Sequence, residues 1–160
     1  CALSDRADEE LFIEFCEDFD YFPVIFTANQ SVNGERLPIY HTNVMMALGE
    51  TFAIICSDTI DDKKERKTVL DHLHHDGKEI IRITEEQMHH FAGNMLQVLG
   101  ANEQRFLVMS SAAYNSLTKE QLKAIKKHCD IIHSSLETIE TCGGGSARCM
   151  MAEVFLPKAN

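Results

Sequence analysis

The amino-acid sequence predicts an α/β fold built from ββαβ repeats. Two stretches, about residues 43–83 and 94–135, show the same order of two short strands, a helix and a third strand. Within them, Asn43–Gly49 and Asn94–Gly100 match in register at Asn, Leu and Gly. Coincidence between short apolar strands is the alternative, but recurrence of the whole element order favours an internal repeat.

The first unit begins with a hairpin and continues into a helix. Apolar and β-branched residues predict two strands joined by a tight turn, and the helix has acidic residues at its start and a glycine after its end. The predicted elements are a strand over 39–48, a turn at Gly49-Glu50, a strand over 52–56, a helix from Asp61-Asp62 to about His75, with Gly77 as its stop, and a strand over 79–83.

The second unit follows the same plan after a short helix. Its longer helix begins at a threonine, a residue type that caps helices well. The predicted elements are a helix over 85–92, a strand over 94–100, a turn at Asn102, a strand over 106–110, a helix from Thr118 to about His128 and a strand over 130–134.

Both ends of the chain predict half-units. Residues 1–28 predict a helix capped by Ser4 or Asp5 and a strand over 23–27, and a turn at Asn33-Gly34 follows this half-unit. At the other end, Ala147 to Leu156 predicts the leading strand of another unit. We therefore expect one partial domain over 1–160 and a natural polypeptide that extends upstream of Cys1. Its parts are a half-unit over 1–28, repeats over about 43–83 and 94–135, and a closing glycine loop and strand over 142–156.

The composition disfavours several classes of partner. The chain has 25 acidic and 15 basic residues and a formal net charge of −10, which opposes nonspecific binding to nucleic acid or anionic membranes. A small cationic molecule is the expected partner, and a homo-oligomer stays open. No apolar stretch approaches the roughly 20 residues that span a bilayer, and no signal-peptide pattern is present. We predict a cytoplasmic protein whose six cysteines are reduced.

The strongest local signal is the segment Cys142–Met150. Its run of three glycines, Gly143 to Gly145, allows the backbone to approach a ligand closely. The loop then presents Cys149 beside Arg148, and nearby cationic character favours the thiolate form of a nucleophilic cysteine. The alternative is a flexible hairpin loop followed by a buried cysteine.

A nucleophilic thiol also needs a group that moves protons, and His41 is the candidate. It begins a predicted strand, where the rim of a ring of units would place its imidazole near other loops. The other histidines have structural explanations, at helix ends or on a short exposed helix. These are His72, His74, His75 and His128 at helix ends, and His89 and His90 on the short helix.

Neither a metal nor a cofactor is predicted. On a helix the side chains of His72, His74 and His75 splay apart, and no cysteine or carboxylate lies at ligand spacing. The sequence contains no GxGxxG, P-loop, GxSxG or HExxH motif, so nucleotide-dependent chemistry is unsupported.

Together these residues resemble the guanidino-modifying enzymes of the pentein (α/β-propeller) superfamily, which includes arginine deiminase, dimethylarginine dimethylaminohydrolase and glycine amidinotransferase. The shared marks are the ββαβ repeat, the histidine in Tyr40–Met46 and the segment Gly143–Cys149. The resemblance is greatest to the C-terminal portion of the bacterial amidinotransferase-like branch linked to citrulline use.

The resemblance implies covalent catalysis by Cys149 and His41 on an arginine- or citrulline-like substrate. The thiol would attack the central carbon of a guanidinium or ureido group, and the imidazole would protonate the leaving nitrogen and then activate the resolving water or amine. Hydrolase and amidinotransferase both stay open, because the acceptor depends on which nucleophile the closed site admits. Deiminases often carry an aspartate where this chain has Asn43, so the identity of the substrate and the charge of its bound group also stay open. In the related enzymes, carboxylates hold the substrate, one of them from an upstream unit. The candidate substrate-binding residues are Asn43, Gly144, Gly145 and Ser146.

A non-catalytic binding module is the alternative function, as in the ribosomal subunit anti-association factors of the same superfamily. The net charge of −10 opposes binding to ribosomal RNA. A binding platform also has no need of Cys149 and His41, so the sequence favours an enzyme.

Overall fold

Ten short strands and seven helices make up a computed structural model of the chain, which describes residues 1–154. The strands are β1 (Ala2–Leu3), β2 (Phe26–Thr27), β3 (Asn29–Val32), β4 (Glu35–Pro38), β5 (Met46–Leu48), β6 (Phe52–Ile55), β7 (Glu79–Arg82), β8 (Leu96–Leu99), β9 (Arg105–Ser110) and β10 (Asp130–Ser134). The helices are α1 (Glu9–Asp18), α2 (Thr42–Met45), α3 (Lys63–His75), α4 (Glu85–His89), α5 (Ser111–Ser116), α6 (Lys119–Ile125) and α7 (Glu137–Gly143).

Two three-stranded sheets of identical topology form the centre of this mixed α/β structure. In the first, β5 and β6 pair antiparallel and β7 pairs parallel to β6. In the second, β8 and β9 pair antiparallel and β10 pairs parallel to β9. A parallel neighbour requires a crossover connection, which α3 supplies in one sheet and α5 with α6 in the other. Each stretch therefore contains two strands, helical crossover and a third strand in that order.

The two sheets share one apolar core, and their first strands, β5 and β8, approach each other. Full burial of a large apolar side chain stabilises the folded state by about 1.5–3 kcal/mol. The core therefore holds the two sheets in place, and with them the loops that leave their ends. Its largest fully buried apolar side chains include Phe52, Ile54, Ile55, Met95, Leu107 and Met109. None of the helices within residues 1–154 combines the length and apolar character needed to cross a membrane.

The helix α3 confirms the sequence prediction at both ends. The carboxylate of Asp62 accepts hydrogen bonds from the backbone N–H groups of Lys64 and Glu65 at 2.7 and 2.9 Å. Asp76 follows the last turn, and Gly77 continues with a φ of 72°. Side-chain capping and a left-handed glycine are the usual start and stop of a helix.

At the start of the chain, the predicted helix cap is wrong. Asp8 caps α1 by accepting from the N–H of Leu11 at 2.9 Å, whereas the hydroxyl of Ser4 donates to the carbonyl of Tyr40. Ser4 therefore ties the N-terminal segment to the segment around residue 40. The strand predicted over 23–27 is shortened to β2, which pairs parallel to β1.

The single strand predicted over 39–48 is also wrong, because the chain forms a hairpin, a helical turn and only then a strand. β3 and β4 pair antiparallel across the predicted turn at Asn33 and Gly34, whose φ angles are 51° and 85°. The next segment is held by long-range bonds: the N–H of Ile39 donates to Ala28, and the N–H of Ala2 donates to the Thr42 hydroxyl. These contacts impose the turn α2 before β5 begins.

The closing strand predicted over 147–156 is not found in the described residues. Arg148–Met150 forms a 3₁₀ turn, and residues 151–154 have no regular structure. Phe155 and Leu156 lie outside the described residues. The N–H of Arg148 donates to the side chain of Asn94 and not to a neighbouring strand.

Candidate active site

A cavity of about 620 Å³ brings together residues that are far apart in the sequence. The segment before β5 supplies His41 and Asn43, and the loop after α4 supplies Asn94. The region around the end of α7 supplies the three glycines and Cys149. Arg6, Gln30, Tyr40, Val44, Met88, His89 and Phe91 complete the lining.

The predicted nucleophile Cys149 is exposed to this cavity from the 3₁₀ turn. Its sulfur lies 3.2 Å from Nδ2 of Asn94. A methyl group at Gly145 would lie 3.1 Å from Cβ and 3.3 Å from Sγ of Cys149, which is tighter than an ordinary van der Waals contact. Gly145 thus lies directly against the thiol.

The glycine run is less free than the sequence suggested. Gly143 is the last residue of α7, and Gly144 ends the helix in the left-handed region with a φ of 69°. Ser146 is fully buried, does not line the cavity, and donates a hydrogen bond from its hydroxyl to Oε1 of Glu140 at 2.6 Å. The structure therefore brings Gly144 and Gly145 to the cavity and uses Ser146 to tie the loop to α7.

His41 is exposed and precedes α2 with an extended backbone, at a φ of −144°. Its Nε2 lies 3.5 Å from Nη1 of Arg6, and its ring meets the ring of Tyr40 edge-on. The guanidinium of Arg6 lies 5.1 Å from the centre of the Tyr40 ring, a cation–π arrangement. His41, Tyr40 and Arg6 therefore form one wall of the cavity.

Sequence reasoning missed Asn94 as a site residue and noted it only as the repeat counterpart of Asn43. Asn94 is 4% exposed, and its side chain bonds to the carbonyl of Asn43, the N–H of Arg148 and the sulfur of Cys149. The available signal was that Asn94 occupies, in the second repeat, the position that the predicted site residue Asn43 occupies in the first. Arg6 and His89 were also missed, because nothing in the local sequence places them at the cavity.

The thiols of this chain differ strongly in environment. Burial, with a smaller effect from the negative charge of Glu85, raises the pKa of Cys56 to about 11. Burial also raises the pKa of Cys129. Cys142 is exposed but does not line the cavity, so Cys149 is the thiol that the cavity presents.

The charges lining the cavity come from basic groups. Arg6 is the permanent cation among the described lining residues, and none of those residues is an Asp or Glu. In residues 1–154, no three His, Cys, Asp or Glu side chains converge in a way that could hold a metal ion.

A second cavity, of about 570 Å³, lies beside α4, α5 and α6. Its lining residues Thr84, Gln87, Thr118 and Gln121 are engaged in helix caps. It contains no thiol, so the candidate active site is the cavity of Cys149 and His41.

The fold of the chain has a counterpart among solved protein structures. It resembles the crystal structure of apo ArgZ, described as an arginine dihydrolase from the ornithine-ammonia cycle in cyanobacteria, with a TM-score of 0.66 and 12% sequence identity. The match covers 93% of this chain and 21% of ArgZ, so the chain spans about a fifth of that protein.

A comparison of the amino-acid sequence with family profiles identifies the family of the chain. The family profile described as "N,N dimethylarginine dimethylhydrolase, eukaryotic" matches residues 1–156, and the chain belongs to this family. No curated protein matches the chain. These comparisons support the superfamily that the sequence resembles, while the narrower amidinotransferase-like branch stays a prediction.

Proposed function

We propose that the chain forms the nucleophile-bearing part of an enzyme that hydrolyses a C–N bond of a guanidino or ureido group. The observation that carries this proposal is that Cys149 and His41, 108 positions apart, line the same cavity in a member of this family. In the proposal, the two mixed sheets are units of an α/β-propeller, and residues 1–28 form a half-unit beside them.

The proposed reaction proceeds through a covalent intermediate. The thiolate of Cys149 attacks the central carbon of the substrate, the C–N bond breaks, and the protonated His41 gives its proton to the departing nitrogen. Water then gives a proton to His41 and attacks the same carbon, and the C–S bond breaks to release the thiolate together with a ureido product from a guanidino substrate or a carbamate from a ureido substrate. If an amine replaces water in the second step, the same site performs amidino transfer.

The lining suggests how an amino-acid substrate lies in the cavity. Arg6 offers a guanidinium that suits the substrate carboxylate, since arginine binds carboxylates well. Asn43, Gly144 and Gly145 also line the cavity and are the proposed substrate contacts. The cationic end of a guanidino substrate requires carboxylates, which we assign to a part of the enzyme outside the described lining residues.

The test compares a cationic with a neutral alkylating agent on the complete polypeptide that carries these residues. A haloacetamidine resembles the guanidino group, whereas a haloacetamide lacks its charge. Peptide mapping should show a preference for the amidine at Cys149, suppressed by arginine, citrulline or dimethylarginine. Cys142 is the internal control, because it is exposed outside the cavity.

Turnover of the same three compounds, followed by release of ammonia or amine and repeated with Cys149→Ser, completes the test. Equal amidine preference at Cys142 and Cys149, or product formation that survives Cys149→Ser, would overturn the proposal. Absence of any turnover together with tight binding would favour the non-catalytic binding module.

A further inference from the structure

The side-chain amide of Asn94 joins three separate parts of the candidate active site. Its Oδ1 accepts a hydrogen bond from the N–H of Arg148 at 3.1 Å. Its Nδ2 lies 3.3 Å from the carbonyl oxygen of Asn43 and 3.2 Å from the sulfur of Cys149. One buried amide therefore fixes the turn that carries the thiol and connects it to the segment that carries His41.

The hydrogen-bond partners determine which end of this amide faces which group. The N–H of Arg148 can only donate, so it requires Oδ1, and the carbonyl of Asn43 can only accept, so it requires Nδ2. Both requirements give the same orientation. An N–H of Asn94 is consequently directed at the sulfur of Cys149.

The backbone before Asn94 is held in a constrained conformation. Phe91 has a φ of 65°, in the left-handed region that is uncommon for a residue with a bulky side chain. A methyl group at Gly93 would lie 2.2 Å from the carbonyl oxygen of Val44, so only glycine allows the two backbones to approach this closely. Strained backbone persists where the surrounding structure over-determines it, and here the result is the fixed position of Asn94.

We propose that Asn94 is a positioning residue that holds Cys149 in the cavity and stabilises its thiolate. This inference rests on the proposed function, because it gives Asn94 a role toward the nucleophile. The Nδ2–H group donates to the sulfur at 3.2 Å, and a hydrogen bond to a charged group is stronger than one to a neutral group. In the thiol form, the S–H group can instead donate to Oδ1, which lies 3.6 Å from the sulfur. Asn94 thus has a partner atom for each protonation state.

Asn94→Asp separates stabilisation of the thiolate from the structural role of Asn94. Aspartate has nearly the same shape and keeps an oxygen for the N–H of Arg148, but it replaces the donor beside the sulfur with negative charge. Asn94→Ala removes both functions, and Asn94→Ser keeps a small donor and acceptor. Asn115→Asp, at an exposed position on α5, introduces the same charge away from the cavity as the matched control.

The readout is the pH dependence of iodoacetamide alkylation at Cys149, mapped by mass spectrometry in the complete polypeptide. In Asn94→Asp, the midpoint for Cys149 should rise by about one to two pH units, as expected for loss of a charge-assisted hydrogen bond. Asn94→Ala should move it in the same direction, Asn94→Ser should move it less, and the control variant should leave it unchanged. Thermal unfolding verifies that each variant is folded.

An unchanged midpoint in a folded Asn94→Asp variant would overturn the inference. This measurement does not depend on turnover. If no guanidino or ureido compound is converted but the midpoint still shifts, the proposed function fails and the role of Asn94 stands.

Discussion

The side-chain amides of Gln87 and Gln121 hydrogen bond to each other in both directions, with N···O distances of 2.8 and 3.0 Å. Each glutamine also completes the capping box of its own helix, with Thr84 at the start of α4 and Thr118 at the start of α6. Gln87 donates further to the carbonyl of Ser116. The starts of two helices from different parts of the chain are therefore joined through a single pair of amides.

Replacement of Gln87 by alanine should lower the free energy of unfolding by about 2 kcal/mol. The substitution removes the capping-box bond that the N–H of Thr84 donates to Oε1 of Gln87, and it removes the amide that pairs with Gln121. Chemical denaturation of the single variants Gln87→Ala and Gln121→Ala and of the double variant measures the coupling. We expect a coupling energy of at least about 0.5 kcal/mol, and strictly additive effects would contradict the paired arrangement.

Replacement of His41 by alanine should lower kcat of the complete enzyme at least about 100-fold with little effect on substrate binding. A general acid that also serves as general base acts in both steps of the proposed reaction, and such participation is typically worth about 10² to 10⁴ in rate. His74→Ala is the control, since His74 is exposed at the end of α3 and its loss should cost at most about 1 kcal/mol of stability. A His41→Ala variant that keeps more than about a tenth of kcat would place the proton transfer elsewhere.

Replacement of Gly145 by alanine should slow alkylation of Cys149 more than replacement of Gly143. The new methyl group at Gly145 would press on Cβ and Sγ of Cys149, whereas one at Gly143 would meet no atom within 4 Å. The rate constant for iodoacetamide at a fixed pH, mapped to Cys149, compares the two variants. Equal rates would show that the loop relaxes without moving the thiol.

Titration of Cys56 should make the folded protein less stable at alkaline pH. Its pKa rises from 9.0 to about 11 on folding, so between these values the unfolded state loses the proton first and the free energy of unfolding falls as pH increases. The full difference corresponds to about 2–3 kcal/mol. Unfolding measured from pH 8 to 11 should show a smaller decline in Cys56→Ala than in the wild type, and parallel profiles would contradict the assignment. Folded wild-type protein should also keep Cys56 unmodified by iodoacetamide at pH 8.

The sequence predicted those elements whose signals are local. Asp62 and Gly77 mark the ends of α3, and Thr118 marks the start of α6, because a cap depends on residues within one turn. The strands β6 and β10 are short and β-branched, and their predicted ranges lie within one residue of the observed ranges. Local chemistry was sufficient in these places.

The sequence did not predict elements that depend on distant partners. The run Ile39–Leu48 has the composition of a strand, yet bonds from Ala2 and Ala28 impose the turn α2 within it. The hairpin of β3 and β4 is largely polar and exposed, so it lacks the apolar alternation that indicates a strand. The helix α7 lacks a side-chain cap and runs into the glycines, which concealed it.

The candidate site shows the same division. A glycine run beside a cysteine and a histidine near a turn were visible locally, and five of the six predicted residues line the cavity. Asn94 was not predicted as a site residue, because its three bonds reach residues 51 to 55 positions away. Ser146 was assigned to the substrate because of its neighbours, although its hydroxyl is directed away from the cavity toward Glu140.

The contact between Asn94 and Cys149 also bears on the order of events during protein synthesis. Cys149 follows Asn94 by 55 positions, so at about 5–20 residues per second the ribosome makes it several seconds later. During that interval the strands that frame Asn94 can pair, whereas the cysteine does not yet exist. The nascent chain therefore never carries this thiol before the amide that contacts it has been made.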